Sequence, residues 1–285
     1  MNIYIMSRGR AGKVNTLNWI SEKWRDRTYI VMREMEDYAH YYRGKVGLIT
    51  APQWVDNYSK KFQWILDGLQ GVCESGHNES KAIIIDDDLV FSTRVGNSLR
   101  TVRDPNILDE MWDQIEQYLE DFALVGVHPR QMGQEAPEPM VLNGRIICLQ
   151  GVNRELIGSV KVDQFPILAD VVLNCTLLSR GKANAILTTY FQDHGPCQAP
   201  GGCSIYRTPA MQREAVEYLA LRWPGFVKVV ERRPKVAKWM GDVRYDYRCQ
   251  WKQLFAAGSA HVLDPGKVPN PDKEGGRITE AVVGQ

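Results

Sequence analysis

The sequence predicts an α/β protein built on a parallel, Rossmann-type sheet with a mixed C-terminal portion. Two observations carry this. Strand-like and helix-like segments alternate from Ile3 to Val127, at the spacing of right-handed βαβ crossovers. In addition, Lys81-Ala82-Ile83-Ile84-Ile85 is β-branched and almost continuously apolar, the pattern of a central strand covered on both faces.

Taken in order, Ile3–Met6 is a short buried strand and Ser7-Arg8-Gly9-Arg10 a polar turn. Lys13–Trp24 has Leu17, Ile20 and Trp24 at helical spacing. Strands are predicted at Thr28–Met32 and Lys45–Thr50, helices at Glu34–Tyr42 and Asn57–Leu69. After the Lys81–Ile85 strand and three aspartates comes Leu89-Val90-Phe91, then a polar stretch to Asp104-Pro105. Ile107–Phe122 carries an apolar stripe through Leu108, Met111, Trp112, Ile115 and Leu119, which predicts an amphipathic helix. Ala123–Val127 is a strand, and His128–Pro139 a loop rich in Pro, Gly and Gln. Gly144–Gly151 and Gly158–Val162 read as paired strands, and Asp170–Arg180 as a helix ended by Gly181. A strand at Ala185–Phe191, a helix at Arg207–Trp223 and a strand at Phe226–Glu231 follow. The stretch from Asp264, with its prolines and glycines, predicts a loose tail.

Composition narrows the function. The chain has 285 residues, 44% hydrophobic and 24% charged, with a formal charge of +1. Such a balance excludes a general polyanion binder, so any nucleic-acid surface must be local. Met1 leads straight into a strand-length apolar run, and no stretch approaches a membrane helix. A cytoplasmic protein with reduced thiols is expected. Cys197 and Cys203 flank a glycine-rich piece, and their spacing favours structural cysteines over a zinc site.

Asp86-Asp87-Asp88 is the most informative feature. In a parallel sheet, ligands bind beyond the carboxyl ends of the strands, which is where this triplet falls. Three adjacent carboxylates repel one another, and oxygen ligands of this kind suit Mg²⁺ or Mn²⁺ shared with a substrate's phosphates. A solvated acidic turn is the competing explanation.

The strand Ile3–Met6, three βα units and Ile83-Ile84-Ile85-Asp86-Asp87-Asp88 together resemble the nucleotide-sugar half of a GT-A glycosyltransferase. Asp86 and Asp88 match the two carboxylates of that fold's D-x-D element. More narrowly, the chain resembles bacteriophage glycosyltransferases that hypermodify DNA and occur beside TET/JBP-type base hydroxylases. The similar pieces are Ile3–Arg10, the Asp triplet, Asp170 with the following helix through Leu177-Leu178 to Gly181, and Tyr190–Gly195. Members often carry Glu-Asp before that helix, whereas this chain has Ala169-Asp170. The resemblance implies residues 1–127 as the nucleotide-sugar half, 128–263 as the acceptor-side half of the same domain, and 264–285 as a tail. It implies a UDP-sugar donor, a hydroxymethylated pyrimidine in DNA as acceptor, and work in the host cytoplasm.

The remaining expectations follow from residue chemistry beside that resemblance. Asp170 is the expected base for the acceptor hydroxyl, although a helix cap also explains it, and Asp193 stands in reserve. His194 is the expected third metal ligand beside Asp86 and Asp88. Ser7, Arg8 and Arg10, with Asp86 and Asp87, are expected on the nucleotide sugar, since arginines and amides at a strand-to-helix turn suit phosphate. The glycines between Cys197 and Ser204 suit a lid. Arg232, Arg233, Lys235, Lys238, Arg244, Arg248 and Lys252 are expected on DNA, with Trp239, Tyr245, Tyr247 and Trp251 available for stacking. A metal-dependent nucleotidyltransferase and a non-enzymatic DNA-binding protein are the alternatives.

Overall fold

A computed structural model describes residues 1–69, 80–96, 98–130, 138–194, 201–233 and 243–263. The chain divides into two units. One comprises Met1–Asn174 with Ala183–Arg207; the other comprises Cys175–Lys182 with the chain from Thr208 onward.

The first unit is an α/β structure around a large, mostly parallel sheet. Its strands are β1 (Asn2–Met6), β2 (Thr28–Met32), β3 (Gly47–Thr50), β4 (Lys81–Asp86), β5 (Leu89–Val95), β6 (Ser98–Thr101), β7 (Leu124–Pro129), β8 (Met140–Leu142), β9 (Leu149–Asn153) and β10 (Asn184–His194). Their order is β3-β2-β1-β4-β9-β7-β10-β5-β6, with β8 on β10. β1 to β4 form the predicted parallel block, and β9 enters antiparallel between β4 and β7. All of β1 and Ala82–Ile85 of β4 are buried, as strands covered on both faces must be. The helices of this unit are α1 (Glu22–Arg25), α2 (Met35–Tyr42), α3 (Tyr58–Asp67), α4 (Asp109–Tyr118), α5 (Arg154–Ile157) and the first half of α6 (Ala169–Ser179). α4 delivers its predicted stripe to the core, where Trp112 meets Phe91 edge-on at 5.8 Å.

Three segments differ from the sequence prediction. Lys13–Trp24 is not one helix but a 3-10 turn, Asn15–Trp19, followed by the single turn of α1. The Thr16 side chain is committed elsewhere, donating to the Asp86 carbonyl at 2.6 Å and accepting from the Leu89 amide at 2.9 Å. Such side-chain bonds to backbone compete with a helix. The polar stretch after Phe91 is a hairpin, β5–β6, turned at Gly96 with φ +59°. Gly158–Val162 forms no strand, and Gly144–Gly151 contributes only the start of β9. Asn143 and Cys148, both at positive φ, break the extended run before β9.

The second unit holds α7 (Pro209–Arg222), the hairpin of β11 (Val227–Arg232) and β12 (Arg244–Cys249), and α8 (Trp251–Leu263). The Thr208 hydroxyl caps α7, accepting from the Met211 amide at 3.1 Å with Pro209 behind it. Gly258 of α8 sits against the end of α6, so close that a Cβ there would lie 2.4 Å from the Leu178 carbonyl oxygen. β12 and α8 lay outside the sequence prediction.

Candidate functional site

Register assembles the site. Met6 of β1 stands beside Asp86 of β4, so Ser7 and Asp87 leave the sheet as neighbours. The Ser7 hydroxyl donates to the Asp87 carboxylate and lies 2.8 Å from the Tyr38 hydroxyl. Arg10 reaches back from the same turn to Asp87 and, at 2.9 Å, to Asp88. Beneath this turn the buried Lys61 ammonium donates to the Ser7 carbonyl at 2.6 Å and the Val31 carbonyl at 3.2 Å. Burial pulls the Lys61 pKa down to about 8. Asp87 is itself buried and bonded to Ser7 and Arg10, so both Ser7 and Asp87 shape the turn.

Asp86 and Asp170 are surrounded by the fold yet still partly open to solvent. Burial, then the like charges of Asp88, Asp170 and Asp87, hold the Asp86 carboxyl well above the usual carboxylate range. Burial also raises Asp170, opposed by the Val171 amide in the first turn of α6 and by the charges of Arg145 and Arg207. Cys148 and Tyr58 are pushed up by burial and then by these same carboxylates. Two non-glycine residues near these carboxylates adopt left-handed backbone: Cys148, φ +62°, beside Asp86, and Leu168, φ +69°, two residues before Asp170. Strain of this kind gathers at working sites.

A second segment closes on the arginine turn. The Gly202 amide donates to the Arg8 carbonyl at 2.8 Å. Gly201, at φ +92°, lies so close to Arg10 that a Cβ would come within 2.6 Å of its Cγ. The Arg8 guanidinium donates to the Asp56 carbonyl and covers the Tyr206 ring at 5.3 Å. The Tyr206 hydroxyl accepts from the Tyr58 amide at 2.8 Å and lies 3.3 Å from the Cys203 sulfur. Sequence reasoning missed Thr16, Tyr58, Lys61, Cys148, Tyr206 and Arg207. Only their place in the fold brings them to the triplet.

His194 pairs with Leu89 across β10 and β5, one residue from the triplet. The Asp193 carboxylate bonds back to the His194 amide at 3.0 Å. Among the described residues no three His, Cys, Asp or Glu side chains are gathered as a preformed metal cluster. Arg232, Arg233, Arg244, Arg248 and Lys252 all lie in the second unit. Lys235, Lys238 and Trp239 fall outside the described residues, as do residues 195–200, Cys197 among them, and the tail from 264. Tyr245 does not share a face with the basic residues. It lies beneath Arg213 of α7, 5.1 Å from the guanidinium carbon, and Tyr247 meets Trp251 edge-on.

The electrostatics carry a stability prediction. Because the folded pKa of Asp86 lies above its unfolded value, the ionised carboxylate opposes folding at neutral pH. That penalty disappears as pH falls below the unfolded value of about 4. Asp86→Asn is therefore expected to raise the melting temperature at pH 7.5, by about 2–4 °C per kcal/mol recovered, and to give no gain near pH 4. Scanning fluorimetry across that range checks the sign.

A mostly parallel sheet with carboxylates beyond its central strand is the architecture of α/β enzymes that take their ligand at the strand ends. By sequence, the chain is similar to phage glycosyltransferases. It is 27% identical over 213 residues to the beta-glucosyl-HMC-alpha-glucosyl-transferase of Enterobacteria phage T2, covering 69% of this chain and 72% of the relative. The enzyme of the same name from phage T6 is 26% identical over 237 residues, covering 77% and 80%. No family profile matches. Among solved structures, a CMP:2-keto-3-deoxy-manno-octonic acid synthetase complexed with CTP is 10% identical with TM-score 0.38, covering 78% of this chain and 99% of that one. The apo form of mouse xyloside xylosyltransferase 1 is 11% identical with TM-score 0.31, covering 60% and 71%. Scores of this size do not establish a common fold. No helix among the described residues is long and apolar enough to cross a membrane.

Proposed function

We propose that the chain transfers a sugar from a UDP-sugar to a hydroxyl group on a hydroxymethylated pyrimidine in phage DNA. Asp86 and Asp88 at the end of the central strand, with Asp170 in the first turn of α6 near enough for its charge to act on Asp86, carry this reading, in a chain related to phage glucosyltransferases. Asp170 takes the acceptor's proton as the new oxygen–carbon bond forms at the anomeric carbon. The bond from that carbon to the diphosphate breaks, and the nucleoside diphosphate leaves with the electron pair. Arg8 and Arg10 lie on the turn that would face the diphosphate, where bidentate guanidinium contacts suit phosphate oxygens.

The donor set suits a hard divalent cation. Burial, and after it the like charges of Asp88, Asp170 and Asp87, raise Asp86, and oxygen ligands of this type bind Mn²⁺ or Mg²⁺ together with substrate phosphates. Asp86 and Asp88 would hold the ion, with His194 as the third ligand. Bound there, it would act as a Lewis acid toward the leaving diphosphate.

The relatives' names favour a second reading of the acceptor, in which the attacking oxygen belongs to a glucose already attached to the base. Release of UDP should be measured from a panel of UDP-sugars with Mn²⁺. The duplexes should contain cytosine, hydroxymethylcytosine or glucosylated hydroxymethylcytosine. DNA-dependent release that chelator removes is expected, and the duplex that supports it chooses between the two acceptors. Asp86→Ala with Asp88→Ala should abolish it. Release of pyrophosphate instead would point to a nucleotidyltransferase, and activity surviving the double substitution would discard the carboxylate site.

A further inference from the structure

The β11–β12 hairpin sorts its side chains by face. Residues opposite one another in an antiparallel pair share a face. Lys228 pairs with Arg248, Val230 with Asp246, and Arg232 with Arg244. One face therefore carries four cations and a single carboxylate, Asp246, which lies 3.2 Å from Arg232. The alternate positions Val227, Val229, Glu231, Tyr245, Tyr247 and Cys249 form the other face, where Tyr245 lies beneath Arg213 of α7.

Two cation pairs directly opposite each other are unfavourable for a hairpin by themselves. Lys228, Arg232 and Arg248 are exposed, so no core packing accounts for them. The pair Lys228/Arg248 lies four residues along the strand from Arg232/Arg244, about 13 Å at strand rise. That is close to the roughly 12 Å width of the B-DNA major groove, which admits a two-stranded ribbon.

We propose that this face of the β11–β12 ribbon docks on duplex DNA, the two cation pairs meeting the phosphate walls on either side of a groove. The inference rests on the DNA-acceptor reading above and names the surface that holds the duplex. Phosphate contacts of this kind give affinity and salt dependence without sequence preference.

The test is binding of the full chain to an unmodified duplex, without donor, across a salt series. Replacing Lys228, Arg232 and Arg248 by Ala should weaken binding and flatten the log K against log salt slope by about 2–3, at about 0.9 for each phosphate no longer neutralised. A control triple of the exposed first-unit residues Lys23, Arg27 and Arg43 should leave the slope within about one of the parent. Lys228→Glu separates fold from binding. It places opposite charges across the hairpin, so stability should hold or rise while DNA affinity falls. An unchanged slope in the ribbon triple, an equal loss in the control triple, or retention of single-stranded DNA or anionic vesicles in preference to duplex would each overturn the proposal. Ribbon-dependent binding without sugar transfer would remove the proposed activity and keep the ribbon. Transfer to duplex that survives the ribbon triple would do the reverse.

Discussion

Asp170→Asn is expected to lower kcat by about 10²–10⁴, the usual contribution of a positioned general base, with the donor KM close to the parent's. Asparagine keeps the shape and a hydrogen-bonding oxygen at the start of α6, so the fold should tolerate it. The pH profile is the sharper readout. A base works deprotonated, so kcat/KM must rise with pH through its pKa. Burial lifts Asp170 above the ordinary carboxylate value of about 3.9, so the acid limb should lie above that value. Arg207 holds the carboxyl down, so Arg207→Gln should move the limb to still higher pH, and Asp170→Asn should remove it. A limb that survives in Asp170→Asn would move the role to another group, Asp193 being the next to substitute.

The local part of this architecture was legible because it is written in patterns that the chain itself repeats. The buried strand through Ile83–Ile85, the triplet after it and the stripe of α4 each follow from spacing and apolarity alone. What was hidden depends on partners far along the chain. Thr16 is an ordinary threonine at helical spacing until Asp86 and Leu89 claim its hydroxyl. Lys61 looks like a solvated helix residue, and its burial follows from α3 packing under the carboxyl ends of β1 and β2. The strain at Cys148 and Leu168 has no signature in residue type, since neither is a glycine or an asparagine. The basic stretch around β12 was legible as charge but not as geometry. Its Arg-Tyr-Asp-Tyr-Arg alternation is the period of a strand, which sends cations and aromatics to opposite faces.

Arg10→Met is expected to cost about 3–5 kcal/mol of folding stability, the penalty for stripping one partner from a buried ion pair. The Arg10 and Asp87 side chains are only 13% and 5% exposed. Without the guanidinium, Asp87 would keep one donor, Ser7, whose hydroxyl is already shared with Tyr38. Asp87→Asn should cost less, because Arg10 retains Asp88 at 2.9 Å. The double variant should recover most of the Arg10→Met loss, since no buried charge is left unmatched, and that non-additivity is the signature of a direct pair. The pH dependence follows with a definite sign. Burial already raises Asp87, and Arg10 is the main influence lowering it, so removing Arg10 lifts the folded pKa further. A carboxyl whose folded pKa exceeds its unfolded value loses stability as pH rises through the folded value. The cost of Arg10→Met should therefore be larger in urea unfolding at pH 8 than at pH 5, while the double variant responds equally at both. Additive costs, or a cost independent of pH, would show that Arg10 acts on this turn through its alkyl stem under Gly201 rather than through its charge.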